Sequence, residues 1–297
     1  MAQAGLADTG DKFIMNKKKL SAGTIDRLKT TTTVFFLPKG DLERRDSFQA
    51  AIASVWDLTT IVFDEISNFE KYNNDAGYSY FIVEGVNTHI RMEHTSFDQM
   101  HLYLALRLPK EEGNTKDVNT LGLARIELFP DFITLMTGIN GSPKTFLTKV
   151  YDKGVFYNWS PVLLKAQLAA VQTNLKANNR PWLYDEINDP QLTRRLSKDT
   201  LYVPKRVLVH FNKFNGNETL SSNSLFQAYG YKYKICDDKE LYRVFETEKR
   251  GKLLFEYVKG STDKFVSIYD MESRRIIYKQ YTHNSYNLKS KDLKRIL

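Results

Sequence analysis

The stretch Thr59–Phe69, "TTIVFDEISNF", decides how this chain folds, because a close echo, "KYKICDDKELY", returns at Lys232–Tyr242. Each copy reads as a strand of β-branched and aromatic residues that ends in an acid and passes into a short helix. The acid belongs at that junction, where a carboxylate accepts from the free N–H groups of a helix start. Phe63-x-Glu65-x-x-x-Phe69 corresponds to Ile235-x-Asp237-x-x-x-Leu241, and further on Val83-Glu84-Gly85 corresponds to Val258-Lys259-Gly260. One α/β unit written twice accounts for both matches.

Working outward, "TTTVFFLP" (Thr31–Pro38) is a strand stopped by proline. "GDLERRDSFQAAIASVW" then predicts a helix capped by Asp41, with Phe48, Ala51, Ile52 and Val55 on one face. "SNFEKY" is a short helix in which Ser67 and Glu70 have capping-box spacing. "YSYFIVEG", "HLYLALRLP" and "LARIELFPD" are three more strands. In the second half "KRVLVHFN" (Lys205–Asn212) is the first strand and "SSNSLFQAYG" a helix. "YKYKICDD" is the next strand, "KELYRVF" a helix, and "KLLFEYVKG", "KFVSIYD" and "RIIYKQYT" close the set as strands. The predicted fold is therefore α/β with α+β mixed sheets: two similar β-α-β-α-β-β-β lobes joined by a helical connector.

The expected boundaries are an N-terminal arm at 1–30, a first lobe at 31–131, a connector at 132–204 and a second lobe at 205–297. The connector holds the clearest helix, with Ser160 as N-cap, Pro161 at its first position, and Leu164, Leu168, Val171 and Leu175 at helical spacing. "NNRPW" ends it, and Trp159 and Trp182 bracket it.

The 297 residues, 42% hydrophobic and 26% charged, suit one large or two ordinary globular domains. No apolar run reaches the ~18 residues a membrane span requires. A single cysteine, Cys236, excludes an internal disulfide framework and a Cys-rich zinc module. Residues 201–297 carry 19 Lys and Arg against 11 Asp and Glu, a net +8 that equals the whole chain's charge, so the first 200 residues balance. A basic second lobe fits an acidic protein, an anionic membrane surface or nucleic acid, although acids interleave with its bases. The start "MAQAGLADTG" has neither the basic nor the apolar region of a signal peptide; "AQAG" looks like the beginning of a mature exported chain.

Candidates for chemistry are few. His89, Glu93 and His101 are zinc-type ligands that a hairpin could gather, though Arg91 lies between two of them. Cys236 sits in an alternating strand, where a thiol is buried and inert. "GINGSP" (Gly138–Pro143) lacks the Lys-Ser/Thr of a phosphate loop and reads as a turn. In Tyr231–Ile235 the tyrosines and the lysines Lys232 and Lys234 alternate, which places the tyrosines in the core and the lysines toward solvent or a partner. The tail "LKSKDLKRIL" adds Lys289, Lys291, Lys294 and Arg295 as a short basic segment that reads as a frayed terminal helix. No residue stands out as catalytic or as binding a cofactor.

"VFFLP" (Val34–Pro38), "FIVEG" (Phe81–Gly85) and "SIYDMESRRIIY" (Ser267–Tyr278) resemble the small α/β domain found at the start of TolB and in CsgG-like envelope proteins. The second copy has "VHFN" where that pattern has "LP", and Ser273-Arg274 where it has a turn glycine. The stretch from Gly260 to Ile296 also looks like the ends of uncharacterised exported proteins of Bacteroidetes-type bacteria. The resemblance implies a periplasmic or envelope-associated protein if a signal peptide once preceded it. Such a protein would act by binding a protein partner rather than by catalysis. The alternatives are a cytoplasmic nucleic-acid-binding protein using the basic lobe, and a metal-dependent hydrolase centred on His89, Glu93 and His101.

Overall fold

The computed structural model describes residues 6–7, 20–73, 75–91, 96–109, 120–140, 143–212, 214–247 and 251–296. It is a mixed α/β structure. The first half runs β1 (Leu6–Ala7), α1 (Thr24–Lys29), β2 (Thr32–Phe36), α2 (Arg45–Ala53), β3 (Thr60–Asp64), β4 (Tyr78–Arg91), β5 (Ser96–Pro109) and β6 (Thr120–Leu128). Its sheet has the order β3-β2-β4-β5-β6, with β2 parallel to both neighbours, the last two pairings antiparallel, and β1 lying parallel beside β4. Successive side chains of a strand point to opposite faces. Phe35 accordingly packs with Phe63, Phe81 and Trp159, while Phe36 meets Phe69, Tyr72 and Tyr80. Both faces of this central strand are buried, which is why it reads as an unbroken apolar run.

The connector supplies α3 (Phe132–Asn140), α4 (Pro143–Lys153), α5 (Pro161–Lys176), β7 (Ile187–Asn188) and α6 (Leu192–Lys198). There follow β8 (Thr200–Pro204), β9 (Val209–Phe211), β10 (Glu218–Leu220), β11 (Tyr233–Cys236), α7 (Asp238–Thr247), β12 (Lys252–Lys259), β13 (Asp263–Asp270), β14 (Arg275–His283) and α8 (Ser290–Lys294). The second sheet has the order β11-β8-β12-β13-β14-β7, again with its first strand parallel to both neighbours and antiparallel pairs beyond. Five strands of each half thus follow one plan: the first strand sits between the second and the third, and the fourth and fifth follow in line.

The predicted first strand of the second lobe needs correction. The strand is Thr200–Pro204, and 205–212 instead gives a 3-10 turn (Lys205–Val207) and β9, which among the described residues pairs with β10 alone. A boundary at 204/205 would cut β8, which β11 and β12 flank, away from the second sheet. Pro204 ends β8 and caps the 3-10 turn after it, as Pro38 caps the 3-10 helix Lys39–Arg44 after β2. Val203-Pro204 thus takes the place at the end of β8 that Leu37-Pro38 takes after β2. The "SSNSLFQAYG" helix is a 3-10 segment, Asn223–Ala228, capped by Ser222. The caps expected in the first half fall elsewhere too: Asp41 lies inside the 3-10 helix Lys39–Arg44, and Glu65 is N-cap of Ile66–Lys71 with no side-chain hydrogen bond.

Helix α5 joins the halves. Ser160 Oγ accepts from the Leu163 N–H, and Pro161 opens the helix as expected. Leu164, Leu168 and Leu175 enter the first core, whereas Val162, Leu163, Ala166 and Ala170 enter the second. One helix buried on two faces costs the amphipathic contrast of a surface helix but spares each core a separate cover. Asn178 closes it at φ 50°, a left-handed turn that asparagine tolerates. Within the nominal arm, Leu20 and Leu28 are buried; residues 1–5 and 8–19 lie outside the described residues. Nor is the tail frayed: Leu293 and Ile296 are fully buried in the second core.

The two sheets also meet directly where the β12–β13 turn docks on β5. Ser261 N–H donates to Met100 O and Met100 N–H donates to Ser261 Oγ. Beside them a Cβ on Gly260 would stand 2.1 Å from Asp263 Oδ1, a carboxylate that also accepts from Gln99 across the junction. Gly260→Ala must therefore push Asp263 off its partners and is expected to destabilise by about 1–3 kcal/mol. Urea unfolding measures this; a variant with an unchanged midpoint would refute the close approach.

Candidate functional site

The junction between the sheets is polar where a core would ordinarily be apolar. Strand β6, at the edge of the first sheet, turns Arg125 and Glu127 toward the second. Arg125 grips both Glu127 oxygens through Nε and Nη2 and lies 3.8 Å over the Tyr103 ring. His101, on the neighbouring β5, has Nδ1 3.2 Å from Glu127 Oε2 and Nε2 3.2 Å from Asp263 Oδ2 on β13, the latter off the line of a hydrogen bond. Gln99 Nε2 donates to the same Asp263 oxygen at 2.7 Å. Burial opposes a charge on His101, but the Asp263 and Glu127 carboxylates outweigh it and raise the imidazole to about 9. Burial likewise works against the Glu127 charge, and Arg125 and His101 overcome it, lowering the carboxyl to about 2.

A second knot lies around Glu256. Asn158 and Gln167 donate to its Oε1 and Tyr269 to its Oε2. Burial still prevails and raises this carboxyl above its ordinary value. Glu256, Ser267 and Lys279 form one row across β12, β13 and β14. Lys279 donates to Leu183 O at 2.6 Å, and burial pulls its ammonium down. Between the two knots is a cavity of about 120 Å³, walled by β6, α5, the loop 179–183 and the second sheet. Three of its lining side chains bury a polar atom without a hydrogen-bond partner: Arg125 Nη1, Gln167 Oε1 and Trp182 Nε1.

The predicted ligand set lies only partly within the described residues. His101 pairs with Val86 across the hairpin, while His89 pairs with Asp98, three residue pairs farther along, roughly 10 Å away. Glu93 lies outside the described residues, and both nitrogens of His101 face carboxylates. Among the described residues no group of three or more His, Cys, Asp or Glu is placed to hold a metal. Cys236 is buried, and burial pushes its thiol up to about 12, leaving a negligible thiolate fraction at neutral pH. Asp237 caps α7, its Oδ1 accepting from the Glu240 N–H at 2.8 Å.

The basic candidates fall on two separate elements. Lys232 and Lys234 are exposed at the β11 edge, where Lys234 pairs with Glu240; Tyr231, Tyr233 and Ile235 pack against the second core. Lys289, Lys291, Lys294 and Arg295 are exposed around α8. "GINGSP" spans the end of α3 and the start of α4, with 141–142 outside the described residues. Sequence reasoning missed Arg125, Glu127, Glu256 and Lys279. Their one signal was a charge inside an otherwise apolar strand: "LARIELF", "LLFEYV" and "IIYKQY".

Such an arrangement can hold a small molecule between apolar walls and oriented polar groups. Compared with known proteins, the chain matches no family model, no curated protein and no solved structure. Fold and site thus define a class only: a mixed α/β protein of two like-ordered sheets sharing one helix. No helix among its described residues is long and apolar enough to cross a membrane.

Proposed function

We propose that the protein is a non-catalytic member of a bacterial envelope assembly that binds a protein partner, and that its halves descend from one duplicated unit. The observation that carries the binding role is an exposed apolar patch. Phe214, at the tip of the β9–β10 hairpin, is 87% exposed and Ile133, at the start of α3, is 74% exposed. Val155 and Leu220, also exposed, belong to the same group of segments. The base beneath is firm: Phe132 stacks near Phe211 at 5.6 Å and covers Gly216, and Glu218 accepts from Tyr157 OH and the Phe132 N–H. Apolar side chains presented on a rigid base are a mark of protein docking. The hairpin belongs to the basic half, so the partner's contact should be apolar and rimmed by acids. The shared strand order of the two sheets supports duplication, and the likeness to envelope domains supports the location.

A photo-crosslinker at position 214, combined with cell fractionation, tests this. The expected result is one specific adduct with an envelope protein, whose binding Phe214→Asp weakens at least ten-fold while changing stability by less than about 0.5 kcal/mol. A cytosolic protein that forms no adduct and carries salt-sensitive nucleic acid would replace this reading with the nucleic-acid one.

A further inference from the structure

We propose that the junction cavity is a binding site for a small carboxylic acid that also carries one hydrogen-bond donor, of about the size of a hydroxybenzoate. The cavity lies away from the apolar patch, so the inference stands apart from the partner-binding role. Four observations support it.

The first is size. About 120 Å³ is of the same order as the 150 Å³ apolar cavity that admits benzene, which sets the ligand at one ring or a short branched chain and no more. The second is the set of unpartnered polar atoms. Arg125 Nη1 and Trp182 Nε1 can only donate, whereas Gln167 Oε1 can only accept. A polar atom buried without a partner costs about 1–3 kcal/mol, and a ligand that supplies the partner recovers it. Two donors call for a carboxylate, and the lone acceptor calls for a hydroxyl or amide N–H.

The third is charge. Arg125 and Lys279 line the cavity against Glu127 and Glu256. Arg125 and Glu127 neutralise one another, and Lys279 and Glu256 share one row of the second sheet. These acids are each balanced by a base, so no net negative charge opposes a monoanion. The fourth is rigidity. Arg125 is held by Glu127 and the Tyr103 ring, and Gln167 is held by Glu256, so the groups are oriented before a ligand arrives. The remaining wall is apolar, including Leu123, Leu175, Val258 and Ile276.

The test is calorimetric titration of the full chain with four probes: 4-hydroxybenzoate, benzoate, 4-hydroxybenzyl alcohol and benzyl alcohol. The expected order is 4-hydroxybenzoate tightest, with single-site saturation below the millimolar range. Benzoate, which lacks the donor, and 4-hydroxybenzyl alcohol, which lacks the carboxylate, should each bind at least ten-fold more weakly. Trp182 fluorescence should respond to 4-hydroxybenzoate, and Trp182→Phe should abolish that response. Val171→Trp places an indole in the cavity from the half-buried face of α5 and should remove binding while circular dichroism stays native. Gln167→Leu should erase the preference for 4-hydroxybenzoate over benzoate. No saturable binding of any probe up to 10-fold above the millimolar range would overturn the site. Equal affinity for acids and alcohols would overturn its ligand class, and undiminished binding by a folded Val171→Trp protein would overturn its location.

Discussion

Replacing Lys264 by methionine is expected to cost roughly 3–5 kcal/mol, a large part of the stability of an ordinary domain. Lys264 is fully buried, and its ammonium donates to Asp292 Oδ2 at 2.5 Å and to Asn287 O at 2.6 Å. Asp292 is itself buried, on α8, so the pair fastens the C-terminal segment to β13. Burial pulls the Lys264 ammonium down despite the Asp292 carboxylate beside it, so desolvation opposes the ion pair. Removing one partner leaves the other charge in the core. For the same reason the double change Lys264→Met with Asp292→Leu should recover at least half of the loss. Urea unfolding of wild type, both single variants and the double variant decides the matter. A single variant costing under about 1 kcal/mol, or a double variant costing the sum of the singles, would show the pair to be unimportant.

The junction should also impose a pH window on stability. His101 rises from 6.5 to about 9 on folding, so its contribution is complete below pH 6.5 and is lost as pH climbs through 9. Glu127 falls from 4.5 to about 2, so its contribution is complete above pH 4.5 and is lost as pH drops through 2. Both are present together between about pH 4.5 and 6.5. Each shift corresponds to roughly 3 kcal/mol at about 1.4 kcal/mol per pH unit. Arg125, Asp263, Tyr184 and Tyr281 are the other titratable groups facing this cluster. Because burial also pulls down the ammoniums of Lys259, Lys264 and Lys279, which lose charge on the alkaline side too, the variant His101→Gln isolates the alkaline limb of His101. The stability gap between wild type and His101→Gln should be widest near pH 6 and shrink steadily toward pH 9. A gap that stays constant across that range would mean that His101 is uncharged in the folded protein.

Most of the architecture was legible because it is local. The alternation of Tyr231 to Ile235 placed tyrosines inward and lysines outward, and the structure agrees. Ser160-Pro161 marked the start of α5 through the free N–H groups every helix start exposes. The repeated order of strands and helices was likewise visible in the pattern, since each element carries its own periodicity. The error at 200–212 is instructive. "TLYVP" and "RVLVHF" are both short apolar runs, and neither says which one enters a sheet. That choice was made by β11 and β12, which flank Thr200–Pro204 and satisfy its backbone on both sides.

The site lay beyond the reach of the sequence. Gln99 and Asp263 are 164 positions apart, and Asn158 reaches Glu256 across 98. A buried charge announces only that it needs a partner; it does not say which residue will be brought to it. The sequence by itself determined most of the elements, their order and the Ser160 cap of α5, because these depend on neighbours within a few residues. Only the tertiary structure decided that α5 would serve two cores and that β6 would lay Arg125 and Glu127 against a second sheet. Those outcomes depend on how two sheets pack, where burial area and charge pairing are settled between segments far apart in the chain.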